Sequence, residues 1–385
     1  MKPTATRVLN HALLLTAAFV ATACAGEDAG NTSLPVWTPG APAREVGGYD
    51  TRPGHQLERV IDAALLADGS LVVAEQAVPE LRYFDAAGNL LRTTGGRGGG
   101  PQEFDAPFLS MARGGDTLVI LTRSELAWID GQGAVVRRES LGPGSPGLPR
   151  CQDWLGSWGT LLADGRVIIG MAPSVADGCP SGSAGTGPPP MAILFDRLTG
   201  KVDSLVALPG IAIRDGNRNA AFGNILLAAV GEHRLFVGSS NADSLSVFDR
   251  NGRRVATWRL PAVSRPVPRE LRDSVHPVFG PVPERYPLIG HLIADGTGNL
   301  WVLHYPPLDT PLPSQALSMG SVFVASPDSF TWAVLGPDGT AAASVRTPSN
   351  WQILEIGRDE LVVLEHDSLD VQTVSVRPLE KEAGR

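Results

Sequence analysis

Lysine is nearly absent from this chain. Three lysines (Lys2, Lys201, Lys381) stand against 29 arginines in 385 residues, with 40 acidic side chains and a formal net charge of −8. No basic run occurs, which argues against a duplex nucleic-acid partner. The arginine excess reads as background usage. Cysteine is scarce too: Cys24, Cys151 and Cys179 form no CxxC pair, which argues against a cysteine-rich zinc site. There is no Gly-x-Ser-x-Gly elbow and no HxxxH spacing, so neither a hydrolase of the first kind nor a fixed-spacing metal site has support. No long stripe of 3.6-residue period appears, which argues against a helical bundle.

Glycine and proline are abundant instead, 44 and 32 residues, about a fifth of the chain. With 43% hydrophobic residues a large core is within reach, so disorder is excluded as the main state. Together these features point to many turns between short strands.

Residues 1–7 are short and basic, and residues 8–23 are uncharged and mostly apolar. This is a signal-peptide pattern, too short at its apolar centre for a comfortable membrane span. It ends Ala21-Thr22-Ala23-Cys24, which resembles a bacterial lipobox and would make Cys24 the lipidated first residue; the family prefers Leu at the position of Ala21. Ala21-x-Ala23 also suits ordinary signal peptidase, which would leave Cys24 free. Residues 24–44 read as lipidated cysteine and polar tether. Ala25 stands where an inner-membrane retention signal would resemble Asp, so the expected location is the outer membrane, with the folded part in the periplasm or at the cell surface.

One phrase then repeats: a small turn, an apolar strand, a break, and a strand ending in an aromatic or aliphatic residue, Asp and a Gly turn. Ala67-Asp68-Gly69-Ser70-Leu71-Val72-Val73 followed by Tyr83-Phe84-Asp85-x-x-Gly88 is the first copy. The apolar strands begin at Leu71, Leu118, Val167, Leu235, Leu300 and Leu361, about 50 to 70 residues apart. Asp-Gly and Gly-Asn supply the positive φ of tight hairpins, and the Asp oxygen bonds the turn backbone, so these aspartates are structural. Six repeated antiparallel sheets around an axis make a β-propeller spanning 45–380, with 381–385 as a tail. The last sheet lacks an outer strand after Pro378, and Val36–Asp50 is the expected donor.

The mature region resembles the six-bladed, NHL-type β-propellers found as bacterial lipoproteins. Its most specific stretch, Gly95-Gly96-Arg97-Gly98-Gly99-Gly100-Pro101-Gln102-Glu103-Phe104, is similar to the Gly-Arg-Gly-x-Gly-Pro-x-x-Phe element of that family's first blade. It also partly resembles a phosphate loop, but no Gly-Lys-Ser/Thr follows.

In such a propeller, loops entering the innermost strand and loops leaving the second strand share one face. That face would collect His55, Arg97, Glu103, Trp154, His291 and Trp351 from the first kind, and Glu75, Arg123, His304, Glu365 and His366 from the second. The geometry also brings Cys151 and Cys179 to this face, as a disulfide worth roughly 3–4 kcal/mol on the loop-entropy model. The expected function is a lipid-anchored binding or scaffold module for a peptide, glycan or protein partner, without cofactor. The alternative is a periplasmic lactonase- or lyase-type enzyme that uses the central channel and a divalent metal held by His and Glu side chains of this set. A purely structural envelope component is a third reading.

Overall fold

The computed structural model describes residues 34–114, 117–122, 125–140, 154–161, 166–173, 191–196, 201–207, 226–231, 233–260, 263–273, 283–305 and 328–381; between 154 and 226 only the backbone and Arg166 are described. Cys24, Cys151, Cys179, Arg123 and the side chain of Trp154 lie outside these residues, and so do the expected lipid anchor and disulfide.

The described residues form strands and almost no helix, one short turn of it at 269–273. None of their helices is long and apolar enough to cross a membrane. Two short strands come first, β1 (Val36–Pro39) and β2 (Arg44–Gly47). Four four-stranded antiparallel meanders follow. The first comprises β3 (Val60–Leu65), β4 (Leu71–Glu75), β5 (Glu80–Phe84) and β6 (Leu90–Gly95). The second comprises β7 (Phe108–Gly114), β8 (Thr117–Thr122), β9 (Glu125–Ile129) and β10 (Val135–Ser140). The third holds β11 (Trp154–Leu161), β12 (Val167–Pro173), β13 (Met191–Asp196) and β14 (Lys201–Ala207). The fourth holds β15 (Leu226–Val230), β16 (Arg234–Ser239), β17 (Ser244–Asp249) and β18 (Arg254–Arg259). A nine-stranded sheet contains the fifth meander, β19 (Ile289–Ala294), β20 (Leu300–His304), β21 (Ser329–Leu335) and β22 (Ala341–Pro348), and the sixth, β23 (Trp351–Ile356), β24 (Glu360–His366) and β25 (Gln372–Lys381).

The N-terminal strands complete this last sheet. β2 pairs antiparallel with β25 (Arg44 opposite Val376, Gly47 opposite Thr373). β1 pairs antiparallel with the far end of β25 and parallel with β22, joining the fifth and sixth meanders. Both edges of β1 are thereby occupied, and β25 offers no free edge for pairing with another chain.

Local chemistry fixes the turns. Asp85 Oδ1 accepts the backbone N–H of Ala87 and Asn89 at 2.9 and 2.8 Å, and Asp130, Asp249, Asp295 and Asp367 do the same in their own turns. Gly88 sits at φ 80°, a conformation that carries no Cβ penalty only for glycine.

Packing between meanders follows from strand alternation. On β4, Leu71 and Val73 pack against Val362, Leu364, Val374 and Val376 of the sixth meander, whereas Val72 and Ala74 pack against Leu118, Ile120 and Ala127 of the second. On β20, Leu300 and Val302 meet Phe236 and Val247 of the fourth meander, and Trp301 and Leu303 meet Ile353, Leu361 and Val363 of the sixth. The second strands of the first, second, fourth, fifth and sixth meanders are buried on both faces, as their near-continuous apolar runs require.

Arginines fasten neighbours together. Arg44 donates to the carbonyls of Gly69 and Asp85, both at 3.0 Å, tying β2 to the first meander. Arg92 stacks on Tyr83 at 4.0 Å and donates to Gly131 O at 2.9 Å in the second meander. Arg166 reaches Arg250 O, and Arg234 reaches Pro337 O. A planar guanidinium stacks on a ring and still donates from its edge; a lysine ammonium is a point charge without that geometry.

Candidate functional site

A bulge recurs in the innermost strand of five of the six meanders. The register shifts between Val60 and Asp62, Phe108 and Ser110, Gly156 and Trp158, Ile289 and His291, and Ile353 and Glu355. The residue after each shift is thus at a repeated position, and there the meanders carry Asp, Ser, Trp, His and Glu. Bulges re-aim side chains, so the repeat diversifies its chemistry at a place where the backbone is constant.

One of these positions, Glu355, meets Arg113 of the second meander. Residues paired across strands share a face. Glu355 pairs with Val362, which packs toward the first meander; Arg113, at the end of β7, pairs with Leu118, which also packs toward the first. The two side chains therefore meet across the C-terminal end of β3. Glu355 Oε1 accepts Arg113 Nε at 3.1 Å and Nη2 as well, and Glu355 Oε2 accepts the Leu65 N–H at 2.7 Å. Asp62, one turn of the pleat away, accepts the Ala63 N–H at 2.9 Å and the Met111 N–H. It keeps part of its surface accessible yet lies deep among the innermost strands. Burial, with the nearby Glu355 charge, pushes its pKa up to about 8.

Beside the ion pair lies a pocket of about 200 Å³. Leu65, Leu66 and Val362 form its apolar wall, and Arg113, Glu355 and Glu360 its polar side. Glu360 opens β24, and its carboxylate folds over Gly357, where any Cβ would collide with it. This pocket sits at the C-terminal ends of the innermost strands, opposite the face that the sequence reading chose.

The residues of that reading occupy several separate places. His55 is buried. Its ring lies 5.6 Å from Phe84, with Nδ1 3.3 Å from Pro53 O and Nε2 3.2 Å from Gly88 O. Glu75, 1% exposed, ends β4 and accepts the N–H groups of Glu58 and Arg59 at 3.4 and 3.3 Å; burial raises its pKa. Arg97 is exposed, and Glu103 accepts the Gly100 N–H at 2.9 Å, closing the glycine-rich stretch on itself while Phe104 enters the core. His291 faces Trp332, ring centroids 6.2 Å apart, and burial lowers its pKa to about 4; burial and the Arg265 charge lower that of His304. Trp351 is covered by Arg377 at 4.2 Å, and Arg377 Nη2 donates to Glu365 at 2.7 Å, as does Ser375 Oγ at 2.6 Å. His366 Nδ1 lies 2.5 Å from Asp370 Oδ1. Among the described residues no group of three His, Cys, Asp or Glu side chains is placed to hold a metal ion.

Asp62, Arg113, Glu355 and Glu360 are absent from the sequence reading. They lie in strands, where one residue of register decides the face, and the bulges that set that register leave no mark in the amino-acid pattern.

No family model and no curated protein matches this chain. Solved structures do. A member of the DUF4221 family from Bacteroides vulgatus is similar with TM-score 0.55 and 12% identity, over 90% of this chain and 99% of that one. A putative exported protein from Bacteroides fragilis (TM-score 0.47, 10% identity, 90% and 99% covered) and a gluconolactonase from Xanthomonas campestris (0.45, 14%, 89% and 97%) are more distant. The first likeness and the stacked antiparallel meanders together establish the fold as a β-propeller.

Proposed function

We propose that this chain is a six-bladed, NHL-type propeller of the bacterial envelope, anchored through Cys24 to the outer membrane, and that it binds a peptide, glycan or protein partner. A disulfide between Cys151 and Cys179 belongs to the same proposal. The observation that carries the binding reading is the pocket beside Arg113 and Glu355. Arg113 and Glu355 are held in place by hydrogen bonds, and the facing wall is apolar, the combination that gives a ligand both orientation and burial. The test is a peptide and glycan array probed with the full chain and with Ala67→Trp, which fills the pocket mouth. The reading predicts a partner that the variant loses. Undiminished binding by the variant would move the site elsewhere.

A second reading, a metal-dependent lactonase- or lyase-type enzyme, is favoured by Asp62, a carboxyl that keeps its proton near neutral pH and is thus suited to act as a general acid. Elemental analysis of protein purified without chelator separates the two: a stoichiometric transition metal supports the enzyme, and its absence leaves the binding module.

A further inference from the structure

The charges around the pocket do not balance. Arg113 is committed to Glu355, and both Glu355 oxygens are occupied, one by the guanidinium and one by the Leu65 N–H. Asp62 lies outside the pocket lining. Glu360 is a different case. It is partly buried, it lines the same pocket, and it has no ion-pair partner among the described residues. Gly357 leaves the room that lets its carboxylate lie flat against the turn. The pocket therefore presents one uncompensated negative charge at the edge of a wall made by Leu65, Leu66 and Val362.

The volume sets the size of what fits. About 200 Å³ lies below the roughly 300 Å³ at which sites for drug-sized ligands begin. It suits one long side chain. A cation on an apolar stem matches both features, since its methylenes cover the leucines while its head stays beside the carboxylate.

We propose that this pocket accepts one lysine or arginine side chain from an extended segment of a partner polypeptide. The proposal rests on the binding-module reading and narrows it to a basic peptide. The ammonium or guanidinium pairs with Glu360, and the stem packs on Leu65, Leu66 and Val362. The neighbouring Glu355–Arg113 pair fixes the pocket's shape.

The experiment is calorimetric titration of the full chain with Nα-acetyl-lysine methylamide, its arginine counterpart, the uncharged norleucine counterpart, and putrescine. The expected result is millimolar binding of the lysine or arginine compound, at least tenfold weaker binding of norleucine, and at least fivefold weaker binding of the cation to Glu360→Gln. Asp359→Asn, which alters a neighbouring exposed carboxylate paired with Lys381, leaves binding unchanged. Norleucine binding as tightly as lysine, with Ala67→Trp abolishing both, overturns the cation assignment while the pocket stands as a binding site. Binding of putrescine alone assigns the site to free amines and overturns the peptide. Silence of all four probes, together with an array partner that Ala67→Trp still binds, removes both this inference and the pocket reading. Equal melting temperatures of Glu360→Gln and the parent show that any loss is local.

Discussion

Replacing Asp62 with asparagine should stabilise the protein, and by an amount that grows with pH. Asp62 has a folded pKa of about 8 against a usual 3.8, because burial and the Glu355 charge disfavour its ionised form. Between those two values the unfolded chain has lost the proton while the folded chain keeps it. The folded state then binds one more proton than the unfolded state, so stability falls as pH rises, by about 1.4 kcal/mol per pH unit. From pH 4 to pH 7 that amounts to roughly 4 kcal/mol. The contribution is whole below pH 4 and gone above about pH 8. Asparagine does not titrate, is isosteric with the protonated acid, and still offers an oxygen to the Ala63 and Met111 N–H groups. The assay is urea unfolding of parent and Asp62→Asn at half-unit steps from pH 4 to 8. Comparing the two proteins cancels the titration of every other group. Curves that coincide at pH 4 and diverge upward support the argument. Parallel curves would refute it, since they would mean that Asp62 ionises as readily in the folded protein as in water.

Other substitutions probe the frame. Arg377→Met should cost about 2 kcal/mol, because Glu365 loses its charge partner and Trp351 its cover; a double-mutant cycle with Glu365→Gln should return a coupling of about 1 kcal/mol or more. Gly339→Ala should destabilise by about 2 kcal/mol or more, seen as a lower melting temperature, since Gly339 has φ 85° and an added Cβ would lie 2.8 Å from the Trp258 ring. Cys24→Ala should release the protein from the membrane fraction, and Cys151→Ala should lower the melting temperature only under oxidising conditions.

The strands and turns were legible because their signals are local. Asp85, Asp130 and Asp249 bond their own turn backbone, and β4, β12, β20 and β24 fall on the apolar runs at Leu71, Val167, Leu300 and Leu361. The site was not legible for the opposite reason. Glu365 and Trp351 look available in sequence, yet Arg377 occupies both, and Arg377 lies on another strand. His55 looks like a ligand and instead rests on carbonyls of Pro53 and Gly88.

Sequence by itself determined the class of fold, since alternating β-branched residues, Asp-x-x-Gly turns and the lack of helical stripes each act within a few residues. Tertiary structure decided where chemistry gathers. The bulges after Val60, Phe108, Ile289 and Ile353 shift the register of the side chains that follow, and the stacking of the first, second and sixth meanders brought Arg113, Glu355 and Glu360 to one end of β3, with Asp62 close to Glu355. Those residues are separated by up to about 300 positions, and only the circular order of the sheets makes them neighbours.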